Sequence, residues 1–126
     1  MLFASELLGE DPDTIDVARY LGGGVGRSGD LCGAVTGAAL ALGVRDRHDP
    51  GTWADHQADG YVQLQGLICD FRGRFGATTC RALTGCDMSD ARGLERFRAE
   101  GVRQSHCMGY VGWMCGRLAT ILREGT

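Results

Sequence analysis

Lysine is absent from this sequence: all 13 basic residues are arginines, against 16 acidic residues, for a formal net charge of −3. A slightly acidic chain gives no support to nucleic-acid binding or to binding of an anionic membrane surface. A Walker-type phosphate loop is excluded as well, because that loop needs a lysine to reach the phosphates. Since glycine and alanine are abundant too, we take the arginines as a compositional bias and not as a binding surface.

A signal peptide and a long apolar run are also absent. The opening MLFASELLGEDPD carries acidic residues and no positively charged region, so no secretory leader is predicted. The longest apolar run, residues 31–44, has about 14 residues, whereas a membrane span needs roughly 20. We therefore expect a cytoplasmic protein without direct membrane insertion. In that reducing compartment its six cysteines are expected to be thiols, metal ligands or a redox device.

No segment shows the alternation or the β-branched density of a strand, and the periodicity is helical almost throughout. The length of 126 residues predicts a single domain over residues 1–126. The predicted fold class is all-α, a compact bundle of about five helices. The helical segments are predicted at residues 11–21, 30–43, 52–75, 79–83, 89–100 and 105–123.

Two of these helices carry a predicted core-facing stripe at spacings of three and four residues. The stripe of the third segment consists of Tyr61, Leu64, Ile68, Phe71 and Phe75. The stripe of the last segment consists of Cys107, Val111, Met114, Leu118 and Ile121. Local signals predict helix ends: Asp11 and Pro12 start the first helix, Thr52 starts the third, and Gly76, Gly85 and Gly101 stop the helices before them.

Residues 22–37, GGGVGRSGDLCGAVTG, contain seven glycines. They include a G-x-G-x-x-G pattern, which indicates a dinucleotide site only after a strand, and none is predicted here. The backbone amides at the start of the second helix, with Arg27, could hold an anion. The alternative is a flexible turn that uses glycine for positive φ and close approach. The candidate ligand-contacting residues of this stretch are Gly24, Gly26, Arg27, Gly33 and Gly37.

Cys32 is predicted in the first turn of the second helix, with Asp30 or Ser28 as its cap. The helix dipole and Arg27 would favour a thiolate there, while Asp30 opposes it; an inert buried cysteine is the alternative. None of the six cysteines forms a C-x-x-C pair, which argues against a zinc ribbon, a thioredoxin-like dithiol and the common ferredoxin patterns. His56 and His106 could ligate a metal or tune a thiol, although surface or capping roles are commoner.

Three separated stretches resemble the redox-active protein family named for its C_GCAxxG_C_C pattern. They are GGGVGRSGDLCGAVTGAALALGV at 22–44, FGATTCRALTGCDMS at 75–89 and SHCMGYV at 105–111. CGAVTG resembles the family's CGAxxG core, and the order of the three stretches is the family's order. The resemblance implies a redox activity and frequent genetic proximity to transporters.

Carried over by position, the resemblance implies that Cys32, Cys80 and Cys107 are the active cysteines, with Cys86 as a fourth participant. These four would meet in one glycine-lined cavity, as thiol/disulfide pairs or as ligands of an Fe–S cluster or another soft metal. Cys32 is then the expected attacking thiolate, resolved by Cys80 or Cys107.

The chain departs from the family pattern at one point. The family's first cysteine precedes the glycine loop, where this sequence has none. Cys69 or Cys115 could replace it or be merely buried, or the site could work without that cysteine. MLFASELLGE resembles the tail of the helix that carries that first cysteine.

Two further interpretations remain open from the sequence. One is a helical binding module for a transporter or another partner, or for a second copy of the chain, with structural cysteines. The other is an anion- or nucleotide-binding protein that uses residues 22–30. If the cysteines are redox-active, as the family resemblance implies, the protein also needs a redox partner, which the sequence does not identify.

Overall fold

Five α-helices make up most of residues 16–124, the part of the chain that the computed structural model describes. The helices are α1, Gly33–His48; α2, Trp53–Phe75; α3, Cys80–Thr84; α4, Ala91–Ala99; and α5, Met108–Glu124. A 3₁₀ turn at Arg19–Leu21 precedes α1, and a π-helical turn at Arg103–Cys107 leads into α5. The described residues contain no strand beyond an isolated antiparallel bridge between Leu31 and Thr79. The prediction of a compact all-α bundle is confirmed.

Local sequence signals set both ends of α2, as predicted. Thr52 is the N-cap of a capping box: its hydroxyl and its backbone N–H both donate to Asp55 Oδ2, at 2.9 and 2.5 Å. Gly76 ends the helix in the left-handed region at φ 84°, where its N–H donates to the carbonyl of Arg72 at 2.7 Å. Because these contacts span at most four residues, the sequence alone is enough to place them.

Helix α1 differs from its predicted bounds at both ends. It begins at Gly33 with Cys32 as its N-cap, and it runs through Gly43 to His48. The two residues predicted to cap this helix, Asp30 and Ser28, make other hydrogen bonds. The Asp30 carbonyl accepts the N–H of Cys80, and the Ser28 hydroxyl donates to the carbonyl of Gly24. A glycine inside a helix costs only about 1 kcal/mol, so one such residue does not stop a helix that is buried on one face.

The first predicted helix, residues 11–21, is described only from Asp16 onward, and Asp16 is helical. Asp11 and Pro12 lie outside the described residues, and after Asp16 a turn leads to the 3₁₀ turn at Arg19–Leu21, so the α-helix ends before its predicted end. The carbonyls of Tyr20 and Leu21 accept the N–H groups of Gly26 and Val25, so the chain bends into the glycine loop at this point. That loop, residues 22–30, leads to α1.

The main core lies between α1, α2 and α5. Its buried members are Ala34, Val35, Ala38, Ala41, Leu42, Leu67, Phe71, Leu83, Met114, Leu118 and Leu122. The small residues Ala38 and Ala41 are completely buried, so this face of α1 allows close helix packing.

Two residues of the predicted stripes face the solvent instead. Tyr61 is 54% exposed and Val111 is 44% exposed, whereas Leu67 and Leu122 are 1% exposed. The buried pairs Leu67–Phe71 and Leu118–Leu122 each stand four residues apart, which is one turn along the same helix face.

A second, smaller cluster packs beside the first. It consists of Cys80, Cys86, Met88, Phe97 and Val102, with Leu94 and Cys107 at its edge. Cys32, by contrast, packs against the main core. The junction of the two clusters therefore brings together cysteines that are far apart in sequence. None of the described helices has both the length and the apolar character that a bilayer span requires.

Candidate functional site

Cys32, Cys80 and Cys107 line one cavity of about 190 Å³ at the junction of the two clusters. The three residues come from the N-cap of α1, the start of α3 and the π-helical turn before α5. All six cysteines of the chain are free thiols. The structure thus brings together the three cysteines that the family resemblance singled out.

A short antiparallel contact sets the relative positions of Cys32 and Cys80. Residues 30–32 run against residues 78–80, and the N–H of each cysteine donates to a carbonyl of the opposite segment, at 2.8 and 2.7 Å. Because side chains alternate along extended chain, both cysteines project to the face opposite the bridged pair. They are therefore diagonal neighbours across this contact, and both line the same cavity.

The glycine loop forms one wall of the cavity through an unusual backbone. Residues 23–27 all have positive φ, between 59° and 73°, including the non-glycine residues Val25 and Arg27. A left-handed conformation costs an L-residue about 1–2 kcal/mol, and β-branched valine adopts it rarely. Strain of this kind persists only where the surrounding contacts enforce it, and it concentrates at functional sites.

Gly24 is the point of closest contact between the loop and the cysteines. A Cβ on this residue would lie 2.7 Å from Cys80 Cβ and 2.5 Å from the carbonyl oxygen of Asp30. With φ at 73° the position is unfavourable for other residues even without these contacts. Gly24 therefore lets the loop backbone pass directly over Cys80.

The loop uses its own amides to hold this shape. Each N–H from Val25 to Asp30 donates to a carbonyl within residues 20–25, at 2.7–3.1 Å. The first amides of α3, those of Cys80 and Arg81, donate to the loop carbonyls of Asp30 and Gly29. Because these amides are satisfied internally, the backbone of residues 25–30 has no amide left to donate to a phosphate.

The five predicted ligand-contacting residues separate in space. Gly24 and Gly33 line the cysteine cavity. Gly26 and Arg27 line a second cavity next to it. Gly37 lies one turn further along α1 and lines neither. Ligand contact by any of them stays a prediction.

Cys107 is presented by the π-helical turn, together with Tyr110 one turn later. The Tyr110 hydroxyl donates to the carbonyl of Leu83 at 2.9 Å and so joins α5 to the end of α3. Single π-helical turns are rare in proteins overall, and those that occur are often found at functional sites. Sequence reasoning missed both the π-helical turn and Tyr110, because their signal lies in contacts with a distant segment.

Burial raises the pKa of the Cys32 thiol above its ordinary value of 9.0. The Cys80 thiol raises this pKa further, while the backbone N–H groups of Ala34 and Val35 lower it. These two amides belong to the first turn of α1, so the expected favourable effect of a helix start is present. This stabilisation of the thiolate is smaller than the cost of burying a charged sulfur, so the pKa of Cys32 is raised, whereas the sequence interpretation with a reactive thiolate expected it to be lowered.

The pKa values of Cys80 and Cys107 are raised as well, in both cases chiefly by burial. For Cys107 the neighbouring Cys32 thiol adds to the increase more strongly than Cys80 does, while the charge of Arg103 lowers the pKa. Burial and the thiols of Cys107 and Cys32 also raise the pKa of Tyr110. All four groups are thus protonated near neutral pH and interact through one small cavity.

The remaining three cysteines do not line this cavity. Cys86 is 1% exposed and lies behind Cys80 in the smaller cluster, with an Arg96 guanidinium nitrogen 3.5 Å from its sulfur. Cys69 is exposed on α2, and Cys115 is half-buried on α5. Neither therefore supplies a substitute for the family's first cysteine within the cavity.

Neither of the two candidate histidines lines the cysteine cavity. His106 is exposed, and its Nδ1 is 2.7 Å from the Ser105 hydroxyl. His56 has a buried Nε2 without a hydrogen-bond partner among the described residues. Its ligand atom and those of Asp46 and Asp49 lie within 4.8 Å of one another, although Asp46 already pairs with Arg45 at 2.9 Å.

The donor chemistry of the cavity suits a soft metal, but its geometry does not match one. A tetrahedral thiolate site has bonds of about 2.3 Å, which places its sulfurs about 3.8 Å apart. Among residues 16–124, no three cysteine sulfurs lie within 4.8 Å of one another. The common Fe–S clusters use four thiolates, and the described residues present three to this cavity.

Comparison with known proteins gives one match. A family model described as "Putative redox-active protein (C_GCAxxG_C_C)" covers residues 1–121. The chain belongs to the C_GCAxxG_C_C family. Its membership gives the protein a redox role in general terms and confirms the resemblance seen in the sequence. No curated protein and no solved structure matches the chain.

Proposed function

We propose that this C_GCAxxG_C_C protein carries out thiol–disulfide exchange through Cys32 and Cys107, with Cys80 beside them. The observation that supports this most directly is that these three thiols, which are distant in sequence, line one cavity of about 190 Å³. Family membership supplies the general redox role. The identity of the reacting groups is our inference.

Cys32 is the better nucleophile of the pair. Its sulfur lies at the N-cap of α1, where the N–H groups of Ala34 and Val35 favour its thiolate. It is also half-buried, whereas Cys80 is buried beneath Gly24. A substrate disulfide can therefore approach Cys32 more easily than Cys80.

Cys107 is the better resolving thiol. Cys80 is 8% exposed and lies beneath Gly24, whereas Cys107 is half-buried and easier for a mixed disulfide at Cys32 to reach. Cys107 comes from a different element, and Cys32 affects its pKa more strongly than Cys80 does.

The reaction conserves atoms and electrons. The Cys32 thiol loses its proton to solvent, and the thiolate attacks one sulfur of a substrate disulfide, releasing the other sulfur as a thiolate that takes up a proton. The Cys107 thiolate then attacks Cys32 in the mixed disulfide and releases the second substrate thiol. The protein loses two electrons and two protons, and the substrate gains both. A dithiol donor returns the protein to its starting state by the reverse steps.

A soft metal or an Fe–S cluster held by the same thiols is the alternative outcome, and a binding module with structural cysteines is the other. We favour exchange over metal binding because no three cysteine sulfurs of residues 16–124 lie within 4.8 Å of one another, whereas the thiolate ligands of a single metal ion lie closer together than that.

Counting free thiols tests the proposal. The protein is purified anaerobically, analysed for iron, zinc and copper, scanned in the visible range, and treated with a small disulfide. We expect a colourless, metal-free protein that loses two thiols as one intramolecular disulfide linking Cys32 to Cys107, identified by peptide mapping. Cys32→Ser and Cys107→Ser should each abolish that disulfide, while Cys69→Ser, outside the cavity, should retain it.

Three results would contradict the proposal. Iron, zinc or copper bound near stoichiometry and lost in Cys32→Ser would assign the cavity to a metal. An unchanged thiol count would favour the binding module. A disulfide that forms equally well in Cys32→Ser would show that other cysteines react.

A further inference from the structure

A second and larger cavity, of about 670 Å³, adjoins the cysteine cavity. Its volume falls within the roughly 300–1,000 Å³ typical of small-molecule sites. Four arginines line it, and none of its described lining residues is an aspartate or a glutamate: Arg19, Arg27, Arg98 and Arg103. We call this space the arginine cavity.

Three of the four arginines have no acidic partner within residues 16–124. Arg19 pairs with Asp16 at 3.3 Å on the surface. Within residues 16–124, the side chains of Arg27, Arg98 and Arg103 form no ion pair and no hydrogen bond. Like charges around one concave surface repel one another, and a bound anion would relieve that repulsion.

The arginine cavity and the cysteine cavity share a wall. The shared lining residues are Gly23, Met88, Phe97 and Arg103. Arg103 is the first residue of the π-helical turn that ends at Cys107, and its positive charge lowers the pKa of the Cys107 thiol. A ligand held by the guanidinium groups would therefore extend towards the thiols.

We propose that the arginine cavity binds the anionic part of the disulfide substrate, a small molecule that carries two or more carboxylates or phosphates. The substrate class rests on the thiol–disulfide exchange proposed above. Guanidinium groups recognise carboxylates and phosphates through paired N–H···O bonds, and the cavity presents four of them. Its apolar wall, Met88, Leu94 and Phe97, contacts the uncharged part of the ligand.

This proposal revises the interpretation of the arginines as a compositional bias. It also moves anion recognition away from the backbone of residues 22–30, whose amides from Val25 to Asp30 are used internally. The glycine loop contributes a side chain instead. Arg27 projects from its left-handed backbone, at φ 59°, into the lining of the arginine cavity.

Anion binding is tested first without any redox step. Reduced protein is titrated with pyrophosphate and with citrate by calorimetry at low salt. We expect binding to at least one anion, about threefold to tenfold weaker in Arg98→Gln and in Arg103→Gln, since each removes one partly exposed charged contact. Arg92→Gln is the matched control, because Arg92 is exposed on the same helix α4 and does not line the cavity. Binding should weaken as salt is raised.

The two anions separate the possible chemistries of the substrate. Tighter pyrophosphate binding assigns phosphates to the ligand, and tighter citrate binding assigns carboxylates. Binding of neither anion, or equal weakening by Arg92→Gln and Arg98→Gln, would overturn the arginine cavity as a ligand site.

The second test uses disulfides of opposite charge. Glutathione disulfide, an anion, should oxidise the protein faster than cystamine, a cation, and Arg103→Gln should reduce that preference while Arg92→Gln leaves it unchanged. Oxidation by both at equal rates, with no anion binding, would overturn this inference and leave exchange intact. Anion binding that Arg98→Gln weakens, with oxidation by neither disulfide, would overturn exchange and leave the anion site supported.

Discussion

Replacing Gly24 by alanine tests whether the glycine loop is held against Cys80. The added Cβ would lie 2.7 Å from Cys80 Cβ, 2.5 Å from the Asp30 carbonyl oxygen and 2.6 Å from the Asp30 nitrogen. Two of these three atoms are backbone and cannot rotate away. Overpacking of this kind costs about 1–3 kcal/mol, and the left-handed φ of 73° adds about 1–2 kcal/mol. We expect Gly24→Ala to lower the free energy of unfolding by about 2–5 kcal/mol.

Gly26→Ala is the matched control for this prediction. Gly26 lies in the same loop with a similar φ of 62°, but a Cβ there would meet nothing within 4 Å. Both variants change the unfolded chain in the same way, so the difference between them isolates the contact with Cys80 and Asp30.

Urea denaturation of reduced protein measures that difference. We expect Gly24→Ala to be less stable than Gly26→Ala by about 1–3 kcal/mol, a shift of about 1 M in the midpoint for typical urea slopes. Alkylation of Cys80, followed by mass spectrometry, should also be faster in Gly24→Ala, because the wall over that sulfur must move. Equal stability of the two variants would show that the loop does not rest on Cys80 as described.

Two further measurements address the chemistry of the site. Because the pKa values of Cys32, Cys80 and Cys107 are raised, the folded protein keeps thiol protons that the unfolded chain releases above about pH 9. These groups should therefore leave the free energy of unfolding unchanged below that pH and lower it as the pH rises further. Denaturation at about pH 8 and about pH 10 should show a smaller loss of stability in a variant with all three cysteines replaced by serine. Stability that stays flat or rises over this range would contradict the burial of the thiols. Tyr110→Phe removes the hydrogen bond to the Leu83 carbonyl and should lower the free energy of unfolding, measured by urea denaturation, by about 1 kcal/mol. The same change at Tyr61, which is 54% exposed, should lower it much less. Equal effects of the two changes would argue against the hydrogen bond.

Helix ends that rest on contacts between near neighbours could be predicted from the sequence. Thr52 and Gly76 bound α2 as expected, and Thr79 and Gly85 bound α3, because the hydrogen bonds involved span at most four residues. The end of α4 near Gly101 follows the same logic. These signals are complete within the local sequence.

The start of α1 could not be predicted in this way. Cys32 is the N-cap because its own N–H donates to the Thr78 carbonyl, which holds the preceding residues in an extended conformation. A partner 46 positions further along the chain leaves no local signal. Tyr61 and Leu67 show the same limit within α2, since periodicity marks an apolar stripe but only packing selects which side chains are covered.

The sequence by itself determined that the chain is helical, where most helices end, and which cysteines match the family pattern, because periodicity, caps and that pattern are carried by residues close to one another or by residue identity. Tertiary structure decided that Cys32, Cys80 and Cys107 share a cavity, that their thiols are favoured over thiolates, and that four scattered arginines surround a space beside them. The physical reason is that the burial of an atom and the electrostatic potential at it depend on all the groups that the fold brings near that atom, including groups that are distant along the chain.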